Sequence, residues 1–182
     1  MSRESPHRSA DTTAYIALGA NLGDRERTLR SAIAALRQLG SVEAVSSFYE
    51  TAPVGMVEQP DFVNAVVAFR TALSAEELMA ALLRIEQQHG RDRSVSVPKG
   101  PRMLDLDLLS YGDVVMETPS LTLPHPALGE RRFVLVPLTE IAPQWRHPVS
   151  EKTAATLLSE LLQRDGEFSQ PLRKVNSSTP SA

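Results

Sequence analysis

The sequence predicts an α+β domain with a ferredoxin-like βαββαβ core: one antiparallel sheet, helices packed on its faces, and long loops. Two observations predict it. Strand-like apolar runs and helically spaced apolar residues follow one another in the order β-α-β-β-α-β. Two loops, 51–61 and 91–103, are also longer than simple connections require, which marks functional or disordered segments in a core of this size.

Each element has its own signal. Residues 15–18 are a short apolar run stopped by Gly19, a buried strand. Asp24 is placed to cap a helix in which Leu29, Ala32, Ile33, Leu36 and Leu39 recur at helical spacing, with Gly40 at its end. Residues 42–50 are rich in β-formers, and 51–61 (TAPVGMVEQPD) form a loop because Pro53, Gly55 and Pro60 interrupt any period. A second strand-like run spans 62–71. Ser74-Ala75-Glu76-Glu77 is a capping box, opening a helix through Leu78, Leu82 and Ile85 to about His89, closed by Gly90. After the loop 91–103, residues 104–110 alternate cleanly, and 114–116 with 121–123 suit short strands. Helices are expected over 133–141 and 153–162, with Pro137 arguing against the first.

Composition narrows the classes. The chain has 182 residues, 42% hydrophobic and 23% charged, enough for one domain with a core. A net charge of −3 disfavours a generic nucleic-acid binder or a polybasic membrane module. The absence of cysteine excludes disulfides, thiolate metal sites and cysteine nucleophiles. No signal-peptide core and no bilayer-length apolar run is found, so a cytoplasmic protein is expected. Residues 1–13 and 164–182 are polar and aperiodic, which predicts mobile tails around a single domain at 14–163.

The chemistry centres on Leu104-Asp105-Leu106-Asp107-Leu108. Alternation puts the leucines on one face of a strand and both aspartates on the other, about 7 Å apart. Two carboxylates so placed repel each other and invite a hard cation such as magnesium, which leaves positions for water or phosphate. Alone, an acidic solvent face is the better explanation of them. Their setting favours the metal: Arg91, Arg93, Lys99 and Arg102 lie upstream, His125, Arg131 and Arg132 downstream, as polyphosphate transfer requires. No Walker-type loop exists, and Gly19 and Gly23 read as turn residues. His125, between Pro124 and Pro126, suits either phosphate contact or simple solvation. His89 suits a helix C-terminus, and Trp145 suits packing. A sheet-based RNA binder would want aromatics and basic groups where the aspartates stand.

These blocks also carry a resemblance. Ala14-Tyr15-Ile16-Ala17-Leu18-Gly19-Ala20-Asn21-Leu22-Gly23, the stretch from Val45 to Thr51, Gln59-Pro60-Asp61-Phe62-Val63-Asn64-Ala65, Glu86 to Arg93, Gly100-Pro101-Arg102 with the aspartate strand, Leu123-Pro124-His125-Pro126 and Arg131-Arg132-Phe133 occur in the order seen in the 6-hydroxymethyl-7,8-dihydropterin pyrophosphokinases. The chain resembles that family over about 14–142. The resemblance implies transfer of the pyrophosphoryl group of ATP to the pterin's hydroxymethyl oxygen, releasing AMP, in folate biosynthesis. It implies that Asp105 and Asp107 bind two magnesium ions. It places Arg91 and Arg102 in catalysis, and Glu86, Arg93, Arg102, His125 and Arg131 on the nucleotide. Phe62 and Phe133 would sandwich the pterin, with Asn64 on its polar edge and Thr51 and Val54 completing the pocket. Its partners would be ATP and the pterin, with no nucleic acid or membrane, and the expected state is a monomer. Lys99, Pro98, Phe62 and Pro126 depart from residues common in the family, which touches loop closure and nucleotide affinity and not the reaction.

Overall fold

The computed structural model describes residues 11–53, 58–90, 100–165 and 171–175. Its strands are β1 (Thr12–Ala20), β2 (Ser41–Val45), β3 (Tyr49–Thr51), β4 (Phe62–Thr71), β5 (Asp105–Tyr111), β6 (Met116–Glu117), β7 (Thr122–Leu123) and β8 (Leu172–Lys174). Its helices are α1 (Arg25–Leu36), α2 (Ala75–Gln88), α3 (Arg132–Ile141) and α4 (Ala154–Asp165), with a 3-10 turn at Leu128–Glu130. The main sheet runs β5-β1-β4-β3-β8, every pair antiparallel, with β2 beside β4 along the edge that β3 continues. This is the expected βαββαβ winding.

The helix starts follow their caps. The Asp24 carboxylate accepts from the Arg27 N–H at 3.1 Å. At α2 the Ser74 hydroxyl accepts from Glu77 N–H and the Glu77 carboxylate accepts from Ser74 N–H. α3 runs through Pro137, which lies on the buried side of the helix. Gly40 is not the helix end, since α1 stops at Leu36. A Cβ there would lie 2.4 Å from the Arg70 carbonyl and 2.8 Å from the Phe69 ring, so the glycine permits a close crossing over β4.

Two expectations are corrected. Residues 42–50 are not one strand. At Ser46 the backbone N–H donates to Val66 O while the side-chain hydroxyl accepts from Val66 N–H, each at 2.9 Å, and this side-chain substitution breaks the ladder until Tyr49. The C-terminal stretch 164–182 is not a tail throughout. α4 continues to Asp165, and Leu172, Arg173 and Lys174 pair with Thr51, Glu50 and Tyr49. Three residues are too few for periodicity to reveal; the open edge of β3 supplies the order.

The sheet is apolar on both faces, but unequally. Ile16, Leu18, Val63, Ala65, Val67, Phe69, Leu104, Leu106 and Leu108 meet α1 and α2 in the larger core. On the other face Ala17, Val66 and Leu109 meet α3 and α4 in a smaller one that includes Leu128, Val134, Leu135 and Leu138. Tyr15 and Trp145 pack edge to face beside it, with ring centroids 5.9 Å apart, so Trp145 is a packing residue. The smaller core stops short, and the same face continues past it as Phe62, Asn64, Gly19, Asp105 and Asp107.

A carboxylate ties α3 to the sheet. Glu140 accepts from the Tyr49 hydroxyl and the Ser47 hydroxyl, both at 2.6 Å, and from Ser47 N–H. Burial, reinforced by that hydrogen bond, pushes the Tyr49 phenol up to about 12. Burial alone would raise Glu140, but its bonds from Ser47 and Tyr49 outweigh this and hold it below its usual 4.5. The lowered Glu140 stabilises the fold above that usual value, and the contribution is lost as pH falls through the depressed one. The raised Tyr49 stabilises below its usual 10.0, and its contribution is lost as pH rises from there to about 12. Glu140→Gln should therefore lose less stability than the wild type between about pH 7 and about pH 3.5. Melting curves across that range check it, and parallel losses would refute the clamp.

Candidate active site

Register places the site residues. Gly19 on β1 faces Asn64 on β4 and Asp105 on β5, so these three form one row across the sheet. Ala17, two residues back, faces Asp107. Thr51 on β3 faces Phe62, and the Asn64 amide donates to the Thr51 hydroxyl at 2.8 Å. That bond orients the amide and leaves its oxygen as an acceptor beside Gly19. Gly19 is no turn residue here. It is the flat centre of the row, where an added Cβ would come within 3.1 Å of Asn64 Oδ1.

Each aspartate is matched by an arginine, and each arginine by a ring. Arg102 donates to Asp105 Oδ2 at 2.7 Å, and its guanidinium lies 5.7 Å from the centre of the Phe62 ring. Arg131 stands 3.5 Å from Asp107 Oδ2, and its guanidinium lies 5.7 Å from the centre of the Phe133 ring. Two half-buried phenylalanines thus flank the carboxylates, one at the start of β4 and one in the first turn of α3.

His125 closes this side. Its backbone N–H donates to Leu109 O at 2.8 Å, and its Nδ1 accepts from Ala127 N–H at 3.1 Å. Burial pushes the imidazole below its ordinary range, opposed by Asp107 and Asp105 and assisted by Arg131. The ring is accordingly neutral near pH 7, and with Nδ1 accepting, Nε2–H is left as a donor.

Glu86 lies under the strand. It is 1% exposed and accepts from the N–H of Leu106, the residue between the two aspartates. Val54, Arg91, Arg93, Lys99 and Pro98 lie outside the described residues. The other expected residues, Thr51, Phe62, Asn64, Arg102, Asp105, Asp107, His125, Arg131 and Phe133, border one open face.

Asn21 was not assigned a role from sequence. It is 1% exposed, and its amide donates to Gln59 Oε1 at 2.9 Å and Pro60 O at 3.1 Å. Its Oδ1 accepts from Arg102 N–H at 2.8 Å. One buried side chain therefore fastens the ends of both long loops to β1. A polar residue just after a buried strand is the only trace this leaves in sequence.

The donor set suits a hard divalent ion. Asp105 and Asp107 present carboxylate oxygens on one face of a rigid strand, each beside a cation that already balances it. Magnesium takes few protein carboxylates and fills its octahedron with water and phosphate oxygens. Among the described residues no group of three or more His, Cys, Asp or Glu is arranged to hold a metal ion by itself.

Over residues 15–143 the sequence matches the family model of the 7,8-dihydro-6-hydroxymethylpterin-pyrophosphokinases. The chain belongs to this family. It is 48% identical over 133 residues to the 2-amino-4-hydroxy-6-hydroxymethyldihydropteridine pyrophosphokinase of Bacillus subtilis, covering 72% of this chain and 78% of that one. It is 45% identical over 150 residues to the enzyme of the same name from Synechocystis, covering 81% of this chain and 75% of that one. The fold is similar to that of Plasmodium falciparum HPPK-DHPS, with a TM-score of 0.70 over 90% of this chain and 46% of that one. At 16% identity that likeness is one of fold alone, and this chain spans about half of that protein. Family membership brings the reaction: pyrophosphoryl transfer from ATP to hydroxymethyldihydropterin in folate biosynthesis. No helix among the described residues is long and apolar enough to cross a membrane.

Proposed function

We propose that the open face of the sheet holds both substrates, the pterin between Phe62 and Phe133 and the phosphates of ATP over Asp105 and Asp107. The carrying observation is the doubled arrangement of ring, guanidinium and carboxylate on one face. A flat heteroaromatic ring is held well by offset stacking, and the oriented Asn64 amide offers an acceptor to its N–H edge. Thr51 fixes that amide, and the family resemblance would have Val54 complete the pocket.

Asp105 and Asp107 would hold two magnesium ions, which when bound neutralise the phosphate oxygens and the developing charge. The remaining work is positioning. The pterin hydroxyl oxygen forms a bond to the β-phosphorus, the bond from that phosphorus to the α,β-bridging oxygen breaks, AMP departs, and the hydroxyl proton is released. Such transfer needs alignment and charge balance, with no covalent enzyme intermediate. Arg102 and Arg131, with Arg91 and Arg93, would absorb the phosphate charge, and neutral His125 would donate Nε2–H to a phosphate oxygen. Glu86, expected on the nucleotide, is 1% exposed beneath the strand and would act on that side only indirectly, by fixing the strand between the aspartates. We further infer that the enzyme acts as a monomer in the cytoplasm.

Product analysis tests this reading. Incubation with MgATP and 6-hydroxymethyl-7,8-dihydropterin should give AMP and the pterin diphosphate in equal amounts, and none without magnesium. ADP as the only pterin-dependent nucleotide product would refute it.

A further inference from the structure

We infer that the C-terminal strand β8 is a positioning element for the pterin pocket, holding both of its walls from the far side of the sheet edge; this rests on assigning Thr51, Phe62 and Phe133 to the pterin. The first wall is gripped through Glu50. Arg173 on β8 bonds to the Glu50 carboxylate, which also holds Arg25 at 2.8 Å, and Arg25 donates to the carbonyl of Asp61 at 2.7 Å. Glu50 precedes Thr51 and Asp61 precedes Phe62, so this relay joins β8 to both ends of the 51–61 loop.

The second wall is gripped through Glu140. Lys174 approaches its carboxylate at 3.7 Å, and Glu140 sits on α3, the helix whose first turn carries Phe133. The same carboxylate takes the hydroxyls of Tyr49 and Ser47. Adjacent residues of one short strand therefore reach opposite walls, because side chains alternate across a sheet. Between them the backbone pairing sets the place of Thr51, which lies opposite Leu172, and Val175 N–H extends the ladder to Phe48 O at 2.8 Å.

Arg173 and Lys174 are largely exposed, so each ion pair alone contributes little to global stability. What they fix is the spacing of two stacking surfaces, and affinity and rate respond steeply to sub-ångström placement. The MgATP side stands mainly on β5 and the 3-10 turn, and of its assigned residues only Arg131, at the start of α3, shares an element with these contacts among the described residues.

The test uses full-length protein and steady-state kinetics with each substrate varied in turn. Arg173→Glu with Lys174→Glu should raise the pterin KM about tenfold while the MgATP KM stays within about twofold. Val175→Pro, which removes the N–H given to Phe48, should show the same selective rise. Arg173→Lys with Lys174→Arg keeps both charges and should restore the wild-type KM. A merely structural strand would behave differently: loss of folded protein lowers the apparent kcat and leaves both KM values alone. That result, or an equal rise in both KM values, overturns the inference. A wild-type chain that makes no AMP from MgATP and the pterin would instead refute the proposed function on which it stands.

Discussion

Replacing Asp107 with alanine is expected to leave a folded protein whose turnover falls by about a thousandfold or more. A metal ligand at the transferring phosphate contributes several kcal/mol to the transition state, and about 4 kcal/mol corresponds to about three powers of ten in rate. The fold should hardly notice. Asp107 stands 3.5 Å from Arg131 with both side chains partly exposed, and such a pair contributes about 0–1 kcal/mol. Removing one of two like charges on one strand face also relieves repulsion with Asp105. Single-turnover rates and apo melting curves together check this. Near-normal activity at limiting magnesium would show that Asp107 is not a metal ligand.

Three phenylalanines should separate under the same substitution. Phe69 is fully buried in the larger core, so Phe69→Ala should cost about 3–5 kcal/mol and lower the melting temperature on the order of 10 °C. Phe62 and Phe133 are half-buried, Phe133 with part of its ring against the edge of the smaller core. Phe62→Ala and Phe133→Ala should shift melting only slightly and weaken pterin binding roughly ten- to a hundredfold, the scale for a base stacked on a side chain. MgATP affinity should change much less. Calorimetric titration of each ligand beside apo melting curves distinguishes the cases. A Phe133→Ala protein that melts far lower yet binds pterin normally would assign that ring to the smaller core.

Much of this was legible in the chain because local chemistry determined it. β4 runs over the residues its apolar stretch indicates, and α2 begins at its capping box. The aspartate pair could be read because a period of two allows only one arrangement of Leu104 to Leu108. His89 was rightly expected at a helix end: it caps α2, with Nδ1 2.8 Å from Ile85 O and Nε2 3.0 Å from Ser31 Oγ. What stayed hidden depends on neighbours far along the chain. Ser46 breaks a strand only because Val66 lies opposite. Gly19 is a flat centre only because Asn64 and Asp105 flank it, and β8 exists only because β3 leaves an edge. The buried bonds of Asn21 join residues 38 and 81 positions away, beyond any window of periodicity.

The sidedness of β5 bears on which length changes this gene can survive. Between Asp105 and Leu108 every residue opposes a fixed partner on β1, and the single extra residue falls later, at Leu109, where Ile16 faces Leu108 and Tyr15 faces Ser110. One codon inserted before Leu108 would exchange the two faces, driving carboxylates among the leucines under α2 and turning leucines towards the substrates. One codon inserted after Leu108 meets a segment that already accommodates a surplus residue. Natural length variants should accordingly gather at the 51–61 and 91–103 loops and beyond Leu108, and the four residues 105–108 should tolerate none.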